Sequence, residues 1–192
     1  MSYWKNLAFD FLSSKGIGNI PKDISEKIKP MTMTESAALF IREFGLTGTP
    51  ESIAEEMNRC MDEHYRRDIP LKQGVASYLE RLAQTGCTMC VASATAEPLM
   101  DACLTRLGIR SCFRFLISCE TVGVGKNRPD VYYEAARRLG CPPCEAAVYE
   151  DALYAAKTAG EAGFYVVGIY DENADAHWKE MQNIADETLR TF

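Results

Sequence analysis

The 192-residue chain has no excess of positive charge: 21 Lys and Arg stand against 27 Asp and Glu, a formal net charge of -6. An acidic chain without a basic cluster argues against nucleic acid as its main partner. No apolar stretch approaches the roughly 20 residues a helix needs to cross a bilayer, so no membrane partner is expected. The start, Met1-Ser2-Tyr3-Trp4-Lys5-Asn6, lacks the long apolar run that follows a charged start in a secretory signal. A cytoplasmic location is the expectation. Histidine is scarce: His64 lies on a helix face read as packed at an interface, and His177 lies in a polar C-terminal helix beside Trp178, read as surface. Two histidines so placed make a metal triad or a Ser–His–Asp site a poor fit.

Cysteine, by contrast, is plentiful. Without a secretion signal the eight cysteines read as reduced thiols. Cys87/Cys90 and Cys141/Cys144 have the CxxC spacing that zinc sites use. Cys90, however, falls inside the apolar run Thr88-Met89-Cys90-Val91-Ala92, where a thiol packs as a small hydrophobe. Ordinary packing is the preferred reading. Hydrophobic residues make up 47% of the chain, globular composition that supports a core without disulfides or a structural metal.

The first seventy residues read as helices only. Trp4, Leu7, Ala8, Phe11 and Leu12 recur at helical spacing, and Gly16 ends that pattern. Thr32-Met33-Thr34-Glu35 is a capping box ahead of an apolar face of Ala37, Phe40, Ile41 and Phe44. Thr49-Pro50-Glu51 starts another helix, with Ile53, Met57, Cys60, Met61 and His64 on one side. From Pro70 the pattern changes to alternation. A helix face of Val75, Tyr78, Leu79 and Leu82 precedes a strand over 88–92. Helices bearing Met100/Cys103/Leu104 and Tyr132/Ala135/Ala136 precede strands over 115–118 and 146–149, and an Ala-rich helix precedes a strand over 165–169. Strands alternating with helices of this length predict βαβ units and a parallel sheet, which binds ligands beyond the carboxyl ends of its strands.

Three of those ends carry chemistry. The first leads into Ser93-Ala94-Thr95, a hydroxyl and backbone N–H groups ahead of a helix, suited to an anion. The second leads through a glycine-rich loop to Gly125-Lys126-Asn127-Arg128-Pro129-Asp130, and the third ends in Glu150-Asp151. Each has an ordinary alternative: Ser93 as a helix cap, Lys126 as a solvated lysine, Glu150-Asp151 as acids complementing a helix dipole. Together they compose a phosphate and magnesium site, with hard carboxylate oxygens for Mg²⁺ and a lysine for phosphoryl charge. The GK of Glu120 to Lys126 is no P-loop, because Glu120 stands where the first glycine is required and Asn127 where Ser or Thr is.

Val91-Ala92-Ser93-Ala94-Thr95, Gly125-Lys126-Asn127-Arg128-Pro129-Asp130-Val131-Tyr132, and Tyr149-Glu150-Asp151 followed by Ala159-Gly160-Glu161-Ala162-Gly163 resemble the haloacid dehalogenase superfamily. Within it the pattern is most similar to the beta-phosphoglucomutase-like phosphatases. Pro70-Leu71-Lys72-Gln73-Gly74-Val75 resembles the hinge from that group's helical cap into its core. The resemblance implies an α/β fold, with an N-terminal all-helical cap over 1–70 and a Rossmann-like parallel-sheet core over 71–192. It implies that Ser93 and the Ala94 N–H bind phosphate and that Lys126 binds it too, as the catalytic cation. It implies that Asp151, with Glu150, holds Mg²⁺, and that the partner is a small phosphorylated metabolite. Asn127, Ala152 and Ala155 depart from the family pattern, Ala152 removing one hydroxyl near the metal.

The family's chain begins with a strand ending in Asp-x-Asp-x-Thr, whose first aspartate attacks phosphorus and whose second moves the proton. No such motif occurs here. Phe9-Asp10-Phe11-Leu12 has leucine in place of the second acid, and the helical pattern puts Asp10 on a polar face. The family's first strand lies mid-sheet, between the strands ending at Ser93 and Glu150. Its absence leaves unpaired edges, each buried unpaired group costing about 1–3 kcal/mol. The expectation is a chain that begins at an internal methionine, its first strand upstream. The expected function is a Mg²⁺-dependent phosphatase, or a phosphomutase, working through an aspartyl-phosphate. The alternative is an inactive HAD-like protein that binds phosphate or metabolite.

Overall fold

The computed structural model describes residues 2–192, with side chains from Asn6 onward. The Trp4 side chain, assigned above to an apolar helix face, lies outside the described residues. Helix α1 spans Ser2–Ser14 and buries Leu7, Ala8, Phe11 and Leu12, leaving Asp10 exposed. A short helix that the sequence pattern did not reveal, α2 (Ile24–Ile28), buries Ile24. Helix α3 (Met33–Phe44) begins at the expected capping box: the Thr32 hydroxyl accepts from the Glu35 N–H at 3.0 Å, and the Glu35 carboxylate accepts from the Thr32 N–H at 2.7 Å. Helix α4 (Pro50–Glu63) starts the same way with Thr49 and Ser52. Phe11, Phe40, Ile53, Met57 and Met61 form the centre of the cluster these helices share, which Leu99 of the core joins.

Two residues placed on the α4 apolar face sit differently. Cys60 is exposed, because the buried stripe runs through Ile53, Ala54, Met57 and Met61. His64 is half-buried in a π-turn (His64–Asp68), where its Nδ1 lies 2.8 Å from Asp68 Oδ2. Arg66 and Arg67 pair with Asp62 and Glu63 on the same exposed surface.

The second region alternates as expected: α5 (Val75–Gln84), β1 (Met89–Ser93), α6 (Glu97–Arg106), β2 (Phe113–Ser118), α7 (Cys119–Val122), α8 (Asp130–Leu139), β3 (Ala147–Glu150), α9 (Leu153–Glu161) and β4 (Tyr165–Ile169). The expected C-terminal helix follows as α10 (Trp178–Ile184), and then a strand the sequence did not announce, β5 (Glu187–Leu189). Trp178 is buried against α9 and β4, not at the surface, and it packs edge-on to Tyr170.

The parallel strands form two sheets. β1 pairs with β2, Ser93 opposite Ser118, and β3 pairs with β4, Glu150 opposite Gly168, with β5 beyond β4. β1 and β3 are not hydrogen-bonded to each other. Helices nonetheless bridge the two sheets on both faces. α8 packs on β1 and β2, and its Tyr132 hydroxyl donates to Glu150 at the end of β3. On the other face α5 packs on the turn before β2, and its Tyr78 hydroxyl lies 2.9 Å from that of Tyr149 on β3.

Burial around this seam is thin. Every residue of β1 is only half-buried, no residue of the amphipathic α5 is buried, and Tyr149 is 39% exposed. In β4, by contrast, Val166 and Val167 are buried almost completely. Central parallel strands are ordinarily covered on both faces and paired on both edges. The inner edges of β1 and β3 therefore carry unpaired backbone groups between two helical layers.

The segment entering α5 is tied to the far end of β4. Lys72 Nζ donates to Asp171 Oδ2 at 2.7 Å and to the Tyr170 carbonyl at 3.0 Å. Burial by itself would raise the Asp171 carboxyl, but the bonds from Lys72 and Asn173 outweigh it and hold the pKa at about 2, below 3.8. The stabilisation is thus complete above the unfolded value and is lost as pH falls towards the folded one. Replacing Asp171 by Asn is expected to flatten the acid limb of the urea midpoint across that window. An unchanged acid limb contradicts the assignment.

Candidate active site at the carboxyl ends of the strands

The parallel pairing puts Ser93, Ser118, Glu150 and Ile169 at the carboxyl ends of their strands. Lys126, in the loop after β2, forms an ion pair with Glu150 at the end of β3, so both sheets present their ends to one side. Lys126 and Glu150 are 13% and 7% exposed at the side chain, which makes this a buried pair. Tyr132 from the first turn of α8 completes it, its hydroxyl 2.9 Å from Glu150 Oε1 and its ring 5.7 Å below the Lys126 ammonium. Burial and then the adjacent Glu150 charge push the Tyr132 phenol well above its ordinary range, so it stays a donor. Cys119, fully buried beside this pair, has its thiol raised to about 11, first by burial, so it is an inert packing group at neutral pH.

Ser93 does not cap α6. Its Oγ accepts from the Thr95 N–H at 3.1 Å, a local turn that holds residues 93–95 as a compact loop. The helix itself begins two residues later, with Ala96 at its N-cap and no side-chain bond there. Buried Thr95 is pinned from the cap side, its Oγ1 lying 2.9 Å from the Tyr65 hydroxyl.

Asp151 is half-buried and, among the described residues, no side-chain hydrogen bond or ion pair engages it, which leaves its oxygens available. Ala152, one of the departures from the family pattern, is buried and acts as the α9 N-cap without a side-chain oxygen. Asp151 lines a cavity of about 10 Å³ with Asp171, His177 and Trp178, room for one water.

The donor set fits a hard cation in part. Mg²⁺ usually takes one or two carboxylates and completes its shell with water and phosphate oxygens. Asp151 can serve directly, while Glu150 is shared with Lys126 and Tyr132. Among the described residues no group of three or more His, Cys, Asp or Glu side chains is arranged to hold a metal. The CxxC cysteines are free thiols, Cys87 and Cys144 exposed and Cys90 and Cys141 half-buried.

Sequence reasoning missed Tyr65, and it quoted Thr95 and Tyr132 within motifs without reading the contacts they make here. Tyr132 read as a core residue at helical spacing, and no periodicity reveals that its hydroxyl reaches a carboxylate 18 residues away.

Comparison with known proteins identifies the family and the fold. A haloacid dehalogenase-like hydrolase family model matches residues 18–163, and the chain belongs to that family. It is 29% identical over 137 residues to Protein CbbY of Cereibacter sphaeroides, covering 67% of this chain and 59% of that protein. It is 30% identical over 81 residues to the fructose-1-phosphate phosphatase YqaB of Escherichia coli, covering 42% of this chain and 43% of that protein. The chain spans about half the length of the curated relatives it matches. The fold is similar to that of CbbY from Rhodobacter sphaeroides solved with xylulose-(1,5)bisphosphate, at TM-score 0.79 and 21% identity, covering 98% of this chain and 86% of that one. It is also similar to beta-phosphoglucomutase from Clostridium difficile, at TM-score 0.75 and 20% identity, covering 98% of this chain and 84% of that one. Among the described residues no helix is long and apolar enough to cross a membrane.

Lys126 balances a buried carboxylate, so truncating it leaves an uncompensated charge. Lys126→Met is expected to destabilise the fold by about 3–5 kcal/mol in urea denaturation, and adding Glu150→Gln should recover most of that. A single-variant loss below about 1 kcal/mol would place the pair among weak surface pairs.

Proposed function

We propose that this chain belongs to a Mg²⁺-dependent phosphatase for a small phosphorylated metabolite of sugar-phosphate size, working in the cytoplasm through an aspartyl-phosphate. The observation that carries the reading is the buried Lys126–Glu150–Tyr132 arrangement beside unpartnered Asp151, at the carboxyl ends of parallel strands. Family membership supports the hydrolase class. The fructose-1-phosphate phosphatase relative and the CbbY structure solved with xylulose-(1,5)bisphosphate support the substrate class.

In this reading Ser93 Oγ and the Ala94 N–H donate to the phosphate oxygens, and Lys126 moves part of its charge from Glu150 onto the phosphoryl group as negative charge develops. Asp151, assisted by Glu150, holds the magnesium ion, which when bound neutralises phosphate charge. The cap excludes water and bulky substrates while the reaction proceeds.

The attacking carboxylate belongs to a strand lying between β1 and β3, in the seam where both edges are unpaired. A carboxylate oxygen there bonds to phosphorus as the bond to the leaving oxygen breaks. A second acid gives that oxygen its proton, and water then splits the acyl-phosphate. Mutase action uses the same residues with the intermediate shielded from water.

The test is turnover of p-nitrophenyl phosphate by the protein isolated from its own source, alongside its intact mass. The expected result is Mg²⁺-dependent turnover, reduced at least about a hundredfold in Asp151→Ala, from a protein whose mass exceeds that of 192 residues by about 2 kDa, one strand with its loop. A mass equal to 192 residues with phosphate bound and no turnover overturns this reading and favours an inactive phosphate-binding protein.

A further inference from the structure

Cap and core meet at one place with no room for a side chain. A Cβ on Gly125 would stand 1.8 Å from the Pro30 carbonyl oxygen, 2.8 Å from its carbon and 3.1 Å from Met31 Cα. Gly125 is buried, and its φ is outside the left-handed region, so the backbone there would accept any residue. The close approach of the cap, and not a special conformation, requires glycine.

Two hydrogen bonds flank this contact on the same cap loop. The Thr34 N–H at the start of α3 donates to Glu120 Oε1 at 3.0 Å, and the Tyr154 hydroxyl donates to the Lys29 carbonyl at 2.9 Å. The α3 N-terminus favours the Glu120 charge as well. Each core contact is next to a candidate site residue. Gly125 directly precedes Lys126, Glu120 lies in α7, the short helix ahead of the loop that leads to it, and Tyr154 lies in the first turn of the helix that follows Asp151.

We propose that residues 29–34 form a latch whose seating on Gly125 fixes the Lys126 loop against Glu150. Cap closure and the placement of Lys126 are then one state, and lifting the cap releases both. Gly125, Glu120 and Tyr154 are positioning residues that act through Lys126. The consequence for catalysis rests on the phosphatase reading, but the latch can be read without any turnover.

The test is NMR of residues 1–192, following amide exchange at Thr34 and the Lys126 side-chain ammonium resonance. In Gly125→Ala, Thr34 exchange is expected to accelerate on the order of tenfold, the loss of one hydrogen bond of ordinary net strength, and the Lys126 resonance to shift. Amides of β4 should keep their protection. Glu120→Ala should reproduce the effect and Glu120→Gln, which keeps an acceptor, should largely restore Thr34. Where Gly125→Ala fails to fold, Glu120→Ala and Tyr154→Phe decide the matter by the same two signals. Thr34 protection unchanged in these variants overturns the latch, and Thr34 release with the Lys126 resonance unmoved overturns the coupling. Failure of the wild-type protein to hydrolyse a phosphate ester would remove the phosphatase reading and leave these signals as they are.

Discussion

Strand backbones carry a donor and an acceptor at every residue, and a strand in the middle of a parallel sheet must satisfy them on both sides. That requirement organises this molecule. β1 has β2 on one side and β3 has β4 on one side, yet among the described residues β1 and β3 do not pair, and only side chains of helices and one loop connect them. The half-exposed β1, the shallow burial of α5 and the exposed Tyr149 ring follow from the same cause. Unpaired inner edges leave β1 and β3 with a thinly covered seam between them. The chemistry gathers at the ends of the strands that border it.

Across that seam the Lys126–Glu150 pair and the Tyr132 hydroxyl supply a polar link between the two sheets. Buried ion pairs of this kind are weak sources of stability, because desolvation offsets their attraction. In the proposed function, its value lies in storing a cation against a carboxylate until a phosphate arrives. The loop at Pro30 approaches the residue before that lysine closely, so the N-terminal helical region and the charged group are adjacent.

Much of this was legible in the sequence. The capping boxes at Thr32 and Thr49 placed α3 and α4 because side-chain oxygens at those spacings answer the unpaired N–H groups of a helix start. Four of the five strands were readable because a buried parallel strand is a short apolar run between turn signals. β5 was not, since Glu187-Thr188-Leu189 is three residues long with a charge at its start. Trp178 was misplaced because its polar neighbours hid a burial imposed by α9 and β4. Lys126, Glu150 and Asp151 could be singled out from their order after successive strands. The contacts of Tyr132, Gly125 and Glu120 could not be read, because their partners are long-range and each residue alone has an ordinary local meaning.

The central claim is that the seam between β1 and β3 receives an extended strand ending in a carboxylate. The most direct measurement is amide exchange in residues 1–192 titrated with a synthetic peptide of five alternating Val and Phe residues ending in Asp. Without peptide, β1 and β3 amides should exchange much faster than those of β4. With it, their protection should rise on the order of tenfold or more as binding stabilises the fold, and a central proline in the peptide should abolish the effect. Slow exchange in β1 and β3 without peptide, unchanged on adding it, would contradict the account.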